Sequence, residues 1–282
     1  ALRLEEEDIY RYRGSFDFVS LESAVSIERA ELKYPDYRPV TMHWASENKL
    51  YRHIKTKDRF VHHPYESFNT TIEKFIVKAA RDPKVLSIKM TLYRTGDNSP
   101  FIKALIEAAE NGKQVVCLIE LKARFDEKRN IHWARKMEQA GVHVVYGVVG
   151  LKTHSKISLV TRQEGDGELV QYAHIATGKY NAKTSKVYTD VGILTARPEI
   201  VSEVAEVFNY LTGSSLKLDY GELLLAPVNA KSRFIKMIKE QKKLAKKGEP
   251  AYIIAKMNSL EDTEIIDALY IASQEGVKID LI

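Results

Sequence analysis

His154 and Lys156 stand two residues apart in the run Gly147-Val-Val-Gly-Leu-Lys-Thr-His-Ser-Lys-Ile-Ser-Leu-Val160. In an extended strand, side chains two apart share a face, so His154, Lys156 and Ser158 are expected to point one way and Ile157 and Leu159 the other. An imidazole is a neutral nucleophile near neutral pH, and the lysine is a fixed positive charge for oxyanions. Beside a glycine-rich turn, the pair suits chemistry on a phosphoryl group. Taken alone, a short H-x-K pattern more often marks an exposed polar strand face.

Other basic groups follow the same logic. Arg94 comes after one strand-like run, Lys122 and Arg124 after a second, and His154 and Lys156 after a third, while His174 sits on the hairpin partner of the His154 strand. Open α/β sheets bind ligands beyond the C-terminal ends of their parallel strands. Guanidinium groups suit bidentate phosphate binding, so these groups together describe a polyanion site. Familiar signatures are absent. Gly147 to Thr153 lacks P-loop spacing and leads into a strand where a P-loop needs a helix. There is no H-E-x-x-H, paired-cysteine zinc pattern or EF-hand loop. His62 and His63 would face opposite ways in an extended segment, which makes them poor joint metal ligands.

The elements that must position these groups alternate. Apolar spacing from Phe68 to Ala79 predicts a helix ended by Asp82-Pro83, and Val85–Tyr93 reads as a strand. Ser99 as N-cap, Pro100 in the first turn and Gly112 as terminator bound the next helix, followed by strand Gln114–Leu121. A helix from Asp126 to Ala140 and a strand from Val142 to Tyr146 come next. This alternation argues for βαβ units and a mostly parallel sheet. Glu164-Gly-Asp-Gly167 is a hairpin turn, and strand Val187–Leu194 and helix Pro198–Leu211 close the unit. A helix is expected within Leu21–Leu32, before the break at Tyr34-Pro-Asp-Tyr-Arg-Pro39. Lys231–Lys247 is a basic amphipathic helix, read as a docked connector with solvated lysines.

Composition bounds the class. The chain has 282 residues, 44% hydrophobic and 29% charged, with net charge +5, enough for one large or two ordinary domains with an ample core. The mildly basic balance permits an anionic partner. The single cysteine, Cys117, lies in the apolar run Val115-Val-Cys-Leu-Ile119, so it reads as a buried thiol and favours a reducing, cytoplasmic setting. No apolar stretch approaches the ~18 residues of a membrane helix.

Two segments resemble each other. Ala104-Leu-Ile-Glu-Ala-Ala-Glu-Asn-Gly112 matches Ala268-Leu-Tyr-Ile-Ala-Ser-Gln-Glu-Gly276 at an offset of 164, and Ile88-Lys-Met90 matches Ala255-Lys-Met257 at an offset of 167. Two strands, a helix and its terminating glycine agree in order, which predicts a duplicated unit. The second copy would carry its own H-x-K about 36 residues beyond Ile282, so the chain is expected to be a piece of a longer polypeptide.

Longer motifs carry a family resemblance. Ile88-Lys-Met-Thr-Leu-Tyr-Arg-Thr-Gly96, Glu120-Leu-Lys-Ala-Arg-Phe-Asp-Glu127, Gly150-Leu-Lys-Thr-His-Ser-Lys156, Val187-Tyr-Thr-Asp190 and His62-His-Pro-Tyr-Glu-Ser-Phe68 resemble bacterial polyphosphate kinase, the type built on two phospholipase-D-like catalytic halves. The resemblance implies an α/β fold: a phospholipase-D-like mixed sheet flanked by helices, with the start of a second pseudo-repeat. It implies the tail of a preceding helical domain and linker over 1–40, a first phospholipase-D-like domain over 41–220, and a connector helix with the start of a second over 221–282. The implied activity is ATP:polyphosphate phosphotransfer, reversible, through a phosphohistidine, with this piece alone inactive.

On that reading His154 matches the phosphorylated histidine, with Lys156 and His174 as catalytic partners and Tyr188 as a nucleotide contact. Arg94 and Arg124 match the family's magnesium site. A guanidinium has no free acceptor and cannot ligate Mg²⁺, so these arginines are placed on phosphate oxygens, with Mg²⁺ held mainly by substrate phosphates and water. Implied partners are ATP or ADP and inorganic polyphosphate, with no nucleic acid, no dedicated membrane segment, and a homo-oligomer for the full-length protein. Two departures stand out. Thr161 occupies the place where phospholipase-D-type sites usually have an aspartate, which speaks against the alternative of a phosphodiesterase or nuclease. Ala176-Thr-Gly-Lys179 replaces the family's usual G-T-G-N, exchanging an amide for a charge. A non-catalytic polyanion-binding module is the third reading.

Overall fold

The computed structural model describes the chain apart from residues 1–4, 10, 12, 16, 18, 36, 47–48, 94–95, 97, 121–126, 148–149, 166 and 216–218, and the side chains at 8 and 46. Two units are distinguished, residues 1–38 and 39–282. In the first, helix among the described residues is limited to α1 (Glu22–Val25) and 3₁₀ turns at Glu6–Asp8 and Ala30–Leu32. The helix expected across Leu21–Leu32 is thus interrupted. Neither α1 nor the Ala30–Leu32 turn buries a side chain, and so short a helix without packing has little to offset its nucleation cost.

The second unit runs α2 (His43–Ser46), α3 (Leu50–Thr56), β1 (Arg59–His63), a π-helical turn at Asn69–Glu73, α4 (Lys74–Arg81), β2 (Val85–Leu92), α5 (Pro100–Glu110), β3 (Gln114–Ile119), α6 (Glu127–Gln139) and β4 (His143–Val145). It continues with β5 (Lys156–Gln163), β6 (Leu169–Ala176), β7 (Asp190–Thr195), α7 (Pro198–Leu211), α8 (Ala230–Lys246), β8 (Tyr252–Ala255), α9 (Thr263–Gln274) and β9 (Lys278–Leu281).

Strands β1–β7 form one sheet in the order β1-β7-β6-β5-β2-β3-β4. Only β2-β3 and β3-β4 pair in parallel; β5 pairs antiparallel with β2, and β6, β7 and β1 continue antiparallel. The mostly parallel sheet expected from the alternation is therefore corrected to a mixed one. Helix crossovers α5 and α6 impose parallel pairing, whereas the short turn between β5 and β6 and the path from β6 to β7, which carries a single 3₁₀ turn at Thr184–Lys186 and no crossover helix, do not. The mixed α/β class with flanking helices holds.

Strand alternation sorts the core. Ile88, Met90, Val115, Cys117 and Val160 pack beneath α3, α4, α5 and α6, while Ile157, Leu159 and Ala173 pack on the other face against Val201, Val204 and Phe208 of α7. Covered on both faces, β5 is buried at each of its first five residues, including Lys156 and Ser158, as a two-sided central strand is. Cys117 is buried and free, its thiol pushed up to about 12 by desolvation.

Residues 252–281 repeat the β2-α5-β3 unit as β8-α9-β9, again a parallel pair crossed by one helix. Gly112 and Gly276 end the two helices at φ +76° and +94°, conformations that favour glycine. The helix starts differ. Asp262 caps α9 by accepting the Ile265 N–H at 3.1 Å, whereas Ser99 occupies the N-cap of α5 without a side-chain cap bond. α8 lays Ile238 and Ala245 on Ala268, Leu269 and Ala272, the docked connector its periodicity predicts.

Candidate active site

The antiparallel pairings bring the start of β5, the end of β6, the start of β7 and the end of β1 to one sheet edge. Lys156 lies opposite Ala176, Ala176 opposite Gly192, and His63 opposite Asp190. This edge is also where β2 and β3 end, beside the β2–β5 junction at which the sheet changes from parallel to antiparallel. A cleft of about 580 Å³ opens there, lined by His62, His154, Lys156, Thr177, Lys179, Tyr188, Asp190 and Lys256 among others.

His154 stands in the extended segment just before β5, and that segment is held on both sides. Buried Glu120, following β3, accepts the Thr153 N–H at 2.7 Å. Thr91 of β2 donates its hydroxyl to the Ser155 carbonyl at 2.8 Å and accepts the Ile157 N–H at 3.1 Å. The His154 side chain is left exposed, its ring edge-on to Tyr93 with centroids 5.4 Å apart. Partial burial, then Lys156, Lys179 and Lys152, lower its pKa and favour the neutral, nucleophilic imidazole.

Lys156 is only 4% exposed. Its ammonium donates to the His154 carbonyl and lies 5.5 Å from the Tyr93 ring centroid, at the same distance as Lys152. Burial and the Lys179 charge bring its pKa down to about 8, and Asp190 opposes the shift. The expectation that His154 and Lys156 form one strand face is met only in part, because β5 begins at Lys156. Lys156 and His154 nonetheless meet at one cleft.

His174 is not among the cleft's lining residues. It is 2% exposed and faces Ser158 in register. Its Nδ1 pairs with the Tyr180 hydroxyl at 2.9 Å, and its Nε2 has no partner. Burial, then His63, press its pKa down to about 3. His63 is also buried; its Nδ1 donates to the Glu66 carbonyl at 2.9 Å, and its Nε2 is likewise without a partner. Both line a cavity of about 10 Å³, the volume of one water probe. His62 and His63 do face opposite ways, the first into the cleft and the second into the core.

Tyr188 borders the cleft, 51% exposed, with the Lys179 ammonium 4.7 Å from its ring centroid. It precedes its strand instead of belonging to it, since the 3₁₀ turn Thr184–Lys186 runs up to it and β7 starts at Asp190. Arg94, Lys122 and Arg124 lie outside the described residues. Among the described residues no group of three or more His, Cys, Asp or Glu could hold a metal ion, and Asp190 is the single carboxylate on the cleft. These residues do not fit a protein-built Mg²⁺ cage.

Sequence reasoning passed over several contributors. Asp190 closes the run Val187-Tyr-Thr-Asp190; it accepts the Thr177 hydroxyl at 2.9 Å and approaches Gly178 so closely that a Cβ there would lie 2.8 Å from its own. Tyr93, at the end of β2, and Lys256, just after β8, were signalled by position alone. Lys256 shows that the β8-α9-β9 segment reaches the cleft of the seven-stranded sheet.

A mixed sheet whose junction edge holds a neutral histidine, a buried lysine and further cations around an open cleft defines an α/β protein of the anion-handling kind. Comparison with known proteins makes this specific. The family model for polyphosphate kinase C-terminal domain 1 matches residues 49–217, and that for C-terminal domain 2 matches residues 223–282. The polyphosphate kinase of Synechocystis sp. is 58% identical over 229 residues, which cover 81% of this chain and 31% of the relative. That of Thermosynechococcus vestitus is 47% identical over 305 residues, covering 99% of this chain and 42% of the relative. The crystal structure of polyphosphate kinase from Porphyromonas gingivalis superposes with a TM-score of 0.82 at 32% identity, covering 94% of this chain and 41% of that one. The chain belongs to the polyphosphate kinase family, and it spans less than half the length of these relatives.

Proposed function

We propose that the protein to which this chain belongs transfers the terminal phosphate of ATP to inorganic polyphosphate, reversibly, through a phosphohistidine at His154. The observation that carries this reading is the exposed, neutral-favouring imidazole of His154, whose main-chain carbonyl accepts from the buried Lys156 ammonium, at a cleft lined among the described residues by three lysines and one carboxylate. In the first step His154 attacks the terminal phosphorus, the N–P bond forms as the bridging P–O bond breaks, and ADP leaves with the bonding pair. In the second step a terminal polyphosphate oxygen attacks the phosphohistidine and the imidazole departs neutral.

Lys156 offsets charge on the transferring group, and such electrostatic positioning supplies most of the acceleration in phosphoryl transfer. Arg94 and Arg124 are assigned to phosphate oxygens, Tyr188 to the nucleotide, and His174 to support of the cleft floor. Mg²⁺ enters on the substrate phosphates. Polyphosphate synthesis by the full-length protein is expected to fall by roughly three orders of magnitude or more in His154→Gln, as for loss of other nucleophiles. Retained synthesis would refute the assignment.

A further inference from the structure

Lys179 lines the cleft from the connection between β6 and β7. Its place is fixed by the backbone around it. Gly178 packs against Asp190 with no room for a Cβ, so the turn after β6 sits against the start of β7 and delivers Lys179 to the cleft. Lys179 forms no ion pair among the described residues; its ammonium rests 4.7 Å from the Tyr188 ring centroid. Lys156 and Lys256 line the same cleft, and Asp190, its one carboxylate, is already engaged by the Thr177 hydroxyl. Among the described residues, three ammonium groups around a single engaged carboxylate leave a surplus of positive charge that favours an anionic ligand.

We propose that Lys179 is a phosphate-binding residue of this cleft, taking an oxyanion of the phosphate chain that lies between His154 and Tyr188. A cation over a partly exposed ring is held more weakly than one in a charge-assisted bond to a phosphate oxygen, so the ligand draws Lys179 off Tyr188. The ring face is thereby uncovered as the phosphate chain arrives. The depressed pKa of both His154 and Lys156, to which Lys179 contributes, agrees with an ammonium close to each. His154 is faced besides by Lys152 and Lys156 and by the Tyr93 ring, and Lys156 by Tyr93 and Asp190.

This inference rests on the polyphosphate kinase reading, and one experiment separates the two. Binding of linear tripolyphosphate to the intact protein is measured by calorimetry across a series of KCl concentrations, for wild type, Lys179→Asn and Lys179→Arg. Lys179→Asn, a change at a half-buried loop position, is expected to weaken binding about five- to tenfold and to flatten the salt dependence by about one released counterion. Lys179→Arg should retain both. In the same samples the His154 imidazole, followed by NMR with His154→Gln to assign it, should titrate at higher pH in Lys179→Asn. Wild-type-like affinity and salt slope in Lys179→Asn overturn the inference while leaving the kinase reading intact. A wild type that does not bind tripolyphosphate overturns both.

Discussion

The Glu120 carboxylate accepts the backbone N–H of Thr153 at 2.7 Å, one residue before His154. Glu120 follows β3 and Thr153 precedes β5, so this bond ties the parallel half of the sheet to the segment carrying His154. A buried N–H left without its acceptor costs about 1–3 kcal/mol. Glu120→Ala is therefore expected to lower stability by about that amount and to slow phosphoryl transfer by about tenfold or more through loss of positioning. Glu120→Gln keeps an acceptor oxygen and should retain most of both. Chemical denaturation and single-turnover kinetics on the full-length protein make the comparison; an unaffected Glu120→Ala would show that the segment is held by Thr91 alone.

On the proposed reading, His154 and Lys156 set opposite limbs of a pH profile. The His154 pKa is lowered below 6.5, so the imidazole is neutral at pH 7 and is lost as a nucleophile only as pH falls through that lowered value. The Lys156 ammonium, with its pKa brought down to about 8, is lost as pH rises through that value. Phosphoenzyme formation in the full-length protein should be bell-shaped, with its acid limb below 6.5 and its alkaline limb near 8. A profile flat through the alkaline range would remove Lys156 from the reaction.

Beneath the cleft, His174 and His63 are buried neutral, and both have lowered pKa values. The unfolded chain takes up protons below 6.5 that the folded His174 refuses until about 3. Their contribution is thus intact above 6.5 and lost progressively on acidification, at up to about 1.4 kcal/mol per pH unit for each group. Stability should fall from pH 6.5 towards 4 in wild type and fall less steeply in His174→Gln. Equal slopes would mean that His174 is not held neutral by the fold.

Much of this architecture was legible. Pro100 and Gly112 bounded α5 to within a residue or two, Pro198–Leu211 was read with its observed ends, and the hairpin at 164–167 emerged from two glycines. Local chemistry decided each of these. Sheet direction was not legible from alternation, because it depends on which connections carry a helix and on β5 inserting beside β2, a non-local choice. The histidines divide the same way. His154 and its lysine neighbour announced themselves by spacing, whereas His174 read as a cleft residue because a strand position says which face, not how deep. The N-cap at Ser99 shows the converse, with the position right and the bond absent. Asp190 and Tyr93 gain their roles only from register, which places strand ends from distant parts of the chain at one edge.

The central claim is the covalent one. Full-length protein incubated with γ-labelled ATP and Mg²⁺, quenched in alkali and mapped by mass spectrometry, should carry one acid-labile phosphoryl group on His154. The label should vanish in His154→Gln and discharge on addition of ADP. An unlabelled wild type, a label on another residue, or a label that persists in His154→Gln would contradict the account.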